Sequence, residues 1–174
     1  MAKKSNKGKL MGIIGNAVTM IFAVCALALM ALPMLALITP DVISGGSTRT
    51  SSDSVFSCMG NVSDADGTGK GALVMFILVA IVASLLIVSA IVGLVGVFMG
   101  NKKLNMSLVN KILALVLVVV ALVAMILTIV YASDISKLSG AGIETVADAG
   151  TVLPLVFGLF AVVGAFLTPS KKRS

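Results

Sequence analysis

The sequence predicts an all-α membrane protein, an antiparallel four-helix transmembrane bundle with both termini cytoplasmic. Three observations carry that reading. The 174-residue chain is 59% hydrophobic and 11% charged, far from the roughly 25% charged residues of soluble domains. Residues 71–100 hold no charge and are followed by Asn101-Lys102-Lys103; a helix of that length, at 1.5 Å per residue, outruns the roughly 30 Å hydrocarbon layer. The charges are also partitioned. Lys3, Lys4, Lys7 and Lys9 precede the first apolar run, Lys102, Lys103 and Lys111 lie between the second and third, and Lys171, Lys172 and Arg173 follow the fourth. All seven acids fall in the two remaining connections, beside only Arg49, Lys70 and Lys137. The positive-inside rule then puts the basic segments in the cytoplasm and residues 40–70 and 133–150 outside.

The first span is expected over residues 11–39, interrupted by Asn16, Thr19 and Pro33. A secretory signal has an apolar stretch of only about 7 to 15 residues, so a retained span is favoured over a cleaved leader. Val24 before Cys25 fits a lipoprotein cleavage site poorly, and Cys25 reads as a small buried apolar residue. Pro33 implies a kink or an early helix exit, because its ring removes a backbone hydrogen bond. Gly12, Asn16, Thr19, Ala23 and Ala26 recur at spacings of four and three, which forms a seam of small and polar side chains.

Residues 40–70 are rich in Ser, Gly, Thr and Asp. Cys58 lies here while Cys25 lies within a span, so no bridge between them is expected; Cys58 is a free thiol or an intermolecular bridge. Asp64 and Asp66 would occupy the third and fifth positions of a calcium loop, but Val62 and Leu73 would stand at the first and twelfth. The anchoring oxygens are missing, and a solvated turn is the expectation, with calcium binding there disfavoured. Gly69-Lys70 also lacks the remainder of a phosphate-binding loop, since Asp64 stands where its first glycine belongs. Asn61-Val62-Ser63 is a glycosylation sequon, relevant only in a eukaryotic secretory pathway.

On the second span, residues 71–100, Ser89, Gly93, Gly96 and Gly100 fall within a sector of about 60° at 100° per residue. This is a close-packing face, expected to continue through Met75, Leu78, Val82 and Leu85. A basic inner loop, 101–111, leads to a third span over 112–132 with Ala114, Ala121, Ala124 and Thr128 on one side. The outer loop 133–150 is expected to carry a short surface helix around 143–149. Pro154 suits the first turn of a fourth span over 152–168, whose Gly158, Ala161, Ala165 and Thr168 share a face. The basic tails are residues 1–10 and 169–174. Lys102, Lys103, Lys111, Lys171, Lys172 and Arg173 are placed to meet anionic lipid at the inner surface, at about 1 kcal/mol each.

The whole chain is thus expected to form a single polytopic membrane domain, since no segment outside the spans is long enough to fold alone. The spans contain no Asp, Glu, Lys, Arg or His, and the chain has no His at all. Ion-coupled transport and voltage sensing use intramembrane charges, and hydrolysis needs a nucleophile with a base, so neither is expected. No catalytic, cofactor-binding or metal-binding residue is assigned, and no cofactor. The expected role is structural, accessory or partner-binding, with the lipid bilayer and another membrane protein or a second copy as partners, and no nucleic acid. The alternative is an oligomeric passive pore, including a holin-like lesion former. Inside termini with a longer first outer loop resemble the claudin and MARVEL four-span proteins in layout. The Trp and paired Cys of the claudin first loop are absent, as is the Cys-Cys-Gly of tetraspanins. Short basic ends and the lack of paired loop cysteines point to a bacterial plasma membrane.

Overall fold

The computed structural model describes residues 2–40, 47–63, 65, 67–100, 105–138 and 143–169. The chain is mostly helical. In order it forms α1 (Ala2–Ala28), a 3-10 turn (Leu29–Ala31), β1 (Leu35–Pro40), β2 (Ser47–Ser51), α2 (Val55–Gly60), α3 (Gly67–Phe98), α4 (Ser107–Leu138), β3 (Glu144–Ala147) and α5 (Ala149–Leu167). Among the described residues, four stretches are helical, long and apolar enough to cross a bilayer: Lys7–Ala31, Gly67–Phe98, Ser107–Leu138 and Ala149–Leu167, of 25, 32, 32 and 19 residues.

Burial on all four follows one spacing. The interior series is Gly12, Asn16, Thr19, Ala23, Ala26 and Met30 on α1; Ala72, Phe76, Val79, Ala83, Leu86, Ala90 and Gly93 on α3; Ser107, Asn110, Ala114, Leu117, Ala121, Ala124 and Thr128 on α4; Thr151, Pro154, Gly158, Ala161, Ala165 and Thr168 on α5. Alternating steps of three and four place one narrow stripe of each helix inward. Large side chains turn outward, among them Ile21, Ile81, Val88, Val119 and Val163. The inward stripes combine small residues with Met30, Phe76, Leu86 and Leu117, and where Gly and Ala fall inward they let backbones approach.

The chain divides into two compact units of interleaved segments: Met1–Leu27, Ala80–Val119 and Val156–Ser174 form the first; Ala28–Val79 and Val120–Leu155 form the second. In the second, Leu32 precedes Pro33 and adopts extended backbone (φ −80, ψ 160). A residue before proline is pushed out of the helical region, so the apolar run that began as helix continues as strand. β1 is the middle of a three-stranded antiparallel sheet of order β2-β1-β3, in which Leu37 lies opposite both Thr50 and Thr145. Asp148 fastens this sheet to α5. Its carboxylate accepts from the Ala149 N–H (2.7 Å) at the helix start, from Arg49 Nη2 of β2 (2.6 Å) and from Ser51 Oγ (3.2 Å). Met34 O accepts from Thr151 Oγ1 (2.7 Å) and Gly150 N–H donates to Pro33 O (2.9 Å). Gly150 is obligatory there, because a Cβ would sit 2.6 Å from Pro33 O.

The structure amends several expectations. An all-α chain becomes a mostly helical one with a small sheet, because Pro33 ends the first helix and residues 35–40 pair as a strand. Residues 144–147 are strand β3 where a surface helix was expected, since they pair with β1. The third helix begins at Ser107 and ends at Leu138, beyond 112–132 on both sides, and the fourth begins at Ala149. Pro154 therefore lies inside α5, where its ring leaves the Gly150 carbonyl without a helical donor.

Asp148→Ala should destabilise the protein by about 1–2 kcal/mol, the value of a lost helix cap and its bonded partners. Arg49 is 56% exposed, and Arg49→Ala should cost less than half as much because a solvated ion pair contributes little. Thermal unfolding in detergent reads both; equal losses would reject the assignment of Asp148 as the fastening point.

Candidate functional site

A chain of hydrogen bonds through the interior of the first unit is the feature that concentrates buried polar chemistry. Ser89 Oγ of α3 donates to Asn110 Oδ1 of α4 (2.5 Å), Asn110 Nδ2 donates to Asn16 Oδ1 of α1 (2.7 Å), and Asn16 Nδ2 donates to Gly12 O (2.8 Å). Asn16 is 1% exposed, Asn110 0% and Ser89 7%. Three helices are thus tied by two direct interhelical bonds. Gly93 makes room for the chain, since a Cβ there would lie 2.7 Å from Asn16 Oδ1.

A second group lies between α1 and α5. A Cβ on Gly164 would meet Thr19 N at 2.6 Å, and one on Gly15 would meet Thr168 N at 2.7 Å, so the two backbones touch. Thr19 Oγ1 donates back to Gly15 O (2.8 Å), and Thr168 O accepts from Ser107 Oγ (3.1 Å). In the second unit, Thr128 Oγ1 of α4 donates to Ala124 O (2.9 Å). Ser84 faces outward, and its hydroxyl donates to Ala80 O (2.8 Å). Hydroxyls on their own helix carbonyls are how polar side chains survive where no water reaches.

Of the residues selected from sequence, Gly12, Asn16, Thr19, Ala23, Ser89, Gly93, Gly96, Ala121, Gly158, Ala161 and Ala165 are all buried. Gly100 is not. It follows α3 with φ +65 and open space around it, so its role is a left-handed helix end and not packing. The expected continuation of the α3 face is also corrected: Leu78 is 40% and Leu85 52% exposed, while the neighbouring stripe through Ala72, Ala83 and Ala90 turns inward. That stripe also carries Phe76, Val79 and Leu86, all fully buried, so size alone did not choose between the two faces. Asn110, Gly15, Gly164 and Ser107 were missed. Asn110 stands within the expected basic loop 101–111, but the structure makes it part of α4, and its three-and-four spacing to Ala114 and Leu117 marks the same helical face.

Lys111, one of the residues expected to meet anionic lipid, is half-buried with Nζ 5.3 Å from the centre of the Phe166 ring. Lys102, Lys103, Lys171, Lys172 and Arg173 lie outside the described residues, as do Asp64 and Asp66 of the calcium-loop pattern. Both cysteines are free thiols. Burial raises the Cys58 thiol above its ordinary pKa, and the nearby Asp53 adds to the shift. Among the described residues no three His, Cys, Asp or Glu side chains converge as a metal site. Comparison with known protein families, with curated proteins and with solved structures gave no match.

Replacing Asn110 by Leu leaves the Ser89 hydroxyl without its acceptor and Asn16 Oδ1 without its donor, and should destabilise by about 1–3 kcal/mol. The combined Ser89→Ala, Asn16→Leu, Asn110→Leu variant should recover part of that loss, because a fully apolar seam strands no polar group. Additive losses in denaturant unfolding would contradict a coupled chain. With its pKa raised, Cys58 is less ionised near pH 7 than an ordinary thiol, so maleimide labelling should be slower than for a free cysteine and should accelerate as pH rises.

Proposed function

We propose that this chain is a small four-span integral membrane protein with a structural or accessory role, packing beside another membrane protein, and that it performs no catalysis. Its helices form an antiparallel bundle with both termini cytoplasmic, the sheet-bearing segments outside, and a plasma membrane, multi-pass location. The observation that supports this reading is the fate of the polar side chains in the spans. Asn16, Thr19, Ser89, Asn110 and Thr128 are buried and hydrogen-bonded within the protein. A conducting protein keeps such groups available to line water; here they are used to hold helices together. The outward surface left to the surroundings is apolar, the surface through which membrane proteins meet lipid or each other.

The charge partition supports the orientation, since ten basic residues and no acid occupy the segments assigned to the cytoplasm. A Lys172→Cys variant should resist impermeant thiol reagents added to intact cells and react after lysis; efficient labelling of intact cells would reverse the orientation.

The role itself is tested by crosslinking and native mass measurement of the protein extracted gently from its own membrane, with and without reductant. A single copy co-purifying with one other membrane protein is the expected result. A defined ring of copies that conducts ions in planar bilayers would replace this reading with the passive pore.

A further inference from the structure

Within the second unit, an open cleft of about 450 Å³ runs between the last turns of α4 and strand β3. Ile129, Ala132, Ser133 and Ser136 line it from one helical face, and Glu144 and Thr145 from the strand. β3 is an edge strand, with β1 on one side only. Ser136 is already committed: its hydroxyl accepts from the Thr145 N–H (2.7 Å) and donates to Ala132 O (3.0 Å). Thr145 is different. Its side chain is enclosed, at 7% exposure, and its Oγ1 has no hydrogen-bond partner among the described residues. An enclosed hydroxyl in that state is costly, and a donor seated in the cleft that Thr145 lines would relieve that cost.

The charge of the cleft selects the occupant. Glu144 is exposed and makes no ion pair among the described residues, while Lys137, the nearest base along the chain, is held by Asp134 at 3.3 Å. The carboxyl end of α4 adds negative potential at the same place. Every side-chain polar atom facing the cleft is therefore a carboxylate or hydroxyl oxygen. The depth is equally informative, because Ile129 and Ala132 belong to the apolar length of α4 and Ser133 is its first polar residue after Thr128 apart from the Tyr131 phenol. A cleft at that transition lies at head-group level, on whichever side of the membrane the end of α4 emerges.

We propose that this cleft binds the primary ammonium group of an amphiphile. The ammonium donates to the Glu144 carboxylate and to the Ser133 and Thr145 hydroxyl oxygens, and the attached carbon chain lies against Ile129 and Ala132. An ethanolamine phospholipid and a free long-chain amine share this chemistry. Choline carries the same charge without an N–H donor and is excluded. The inference rests on the four-span reading, although not on its orientation.

The test uses the full chain in nanodiscs of mixed phosphatidylethanolamine and phosphatidylcholine, with retained lipid identified by native mass spectrometry. Retention of the ethanolamine lipid by roughly tenfold over the choline lipid is expected, falling to parity in Glu144→Gln and in the near-isosteric Thr145→Val, and preserved in Thr145→Ser. Helicity and melting temperature, matched between Thr145→Val and Thr145→Ser, separate lost binding from lost folding. Displacement by octylamine but not by octyltrimethylammonium supports the same site for a free amine; octylamine binding without lipid retention would assign the cleft to a soluble amine. Equal retention of both lipids with no octylamine binding, or retention unchanged in Glu144→Gln, overturns the proposal. Carbonate extraction distinguishes the other failure, since release of the protein from its native membrane would reject the four-span reading itself.

Discussion

In hydrocarbon a polar side chain has no water to fall back on, and the hydrogen-bond chain from Ser89 through Asn110 to Asn16 is where that constraint acts on the first unit. Ser89 donates into it, Asn110 and Asn16 each accept through Oδ1 and donate through Nδ2, and it ends on the Gly12 carbonyl. Sliding α1 or α4 by one turn, about 5.4 Å, would break the chain and strand its amides. Apolar contacts offer no comparable discrimination, because a Leu or Val surface packs against another in many registers. Single interhelical hydrogen bonds in membranes are worth only about 0.6 kcal/mol on average. The value of this chain lies in the one register it permits more than in the energy it adds.

Close approach is its necessary companion. The side chain of Asn16 occupies space that only a glycine at 93 leaves open, and across α1 and α5 Gly15 lets Thr168 approach while Gly164 lets Thr19 approach. Dispersion is the main remaining source of attraction between apolar helices in lipid, and it depends steeply on separation. The stripes of Ala and Gly and the polar chain therefore act together: the first sets how near the helices come, the second fixes where along their length they meet.

The seam of α1 was legible because Asn16 and Thr19 stand out against an apolar background at a spacing only a helix explains. Asn110 was less so, since a polar residue close to Lys111 and Asn101-Lys102-Lys103 is indistinguishable by hydropathy from the loop around it, and only its phase relative to Ala114 and Leu117 shows that the helix has begun. On α3, two adjacent stripes are almost equally apolar, and choosing between Leu85 and Leu86 requires knowing the neighbours. The sheet was hidden for a different reason. Residues 35–40 continue an apolar run with no polar alternation, and they become a strand by pairing on one side with residues 47–51 and on the other with residues over a hundred positions later. What sequence did reveal there was the break, at Pro33.

The central claim is that Asn16 and Asn110 are held by protein and not by water. Selective isotope labelling of asparagine, with side-chain amide hydrogen exchange followed in lipid nanodiscs, addresses it directly. The account predicts that the Asn16 and Asn110 amide protons exchange far more slowly than those of Asn61 and Asn105, which are exposed. Exchange of all four at similar rates would mean that water reaches the seam, and would contradict both the hydrogen-bonded core and the function drawn from it.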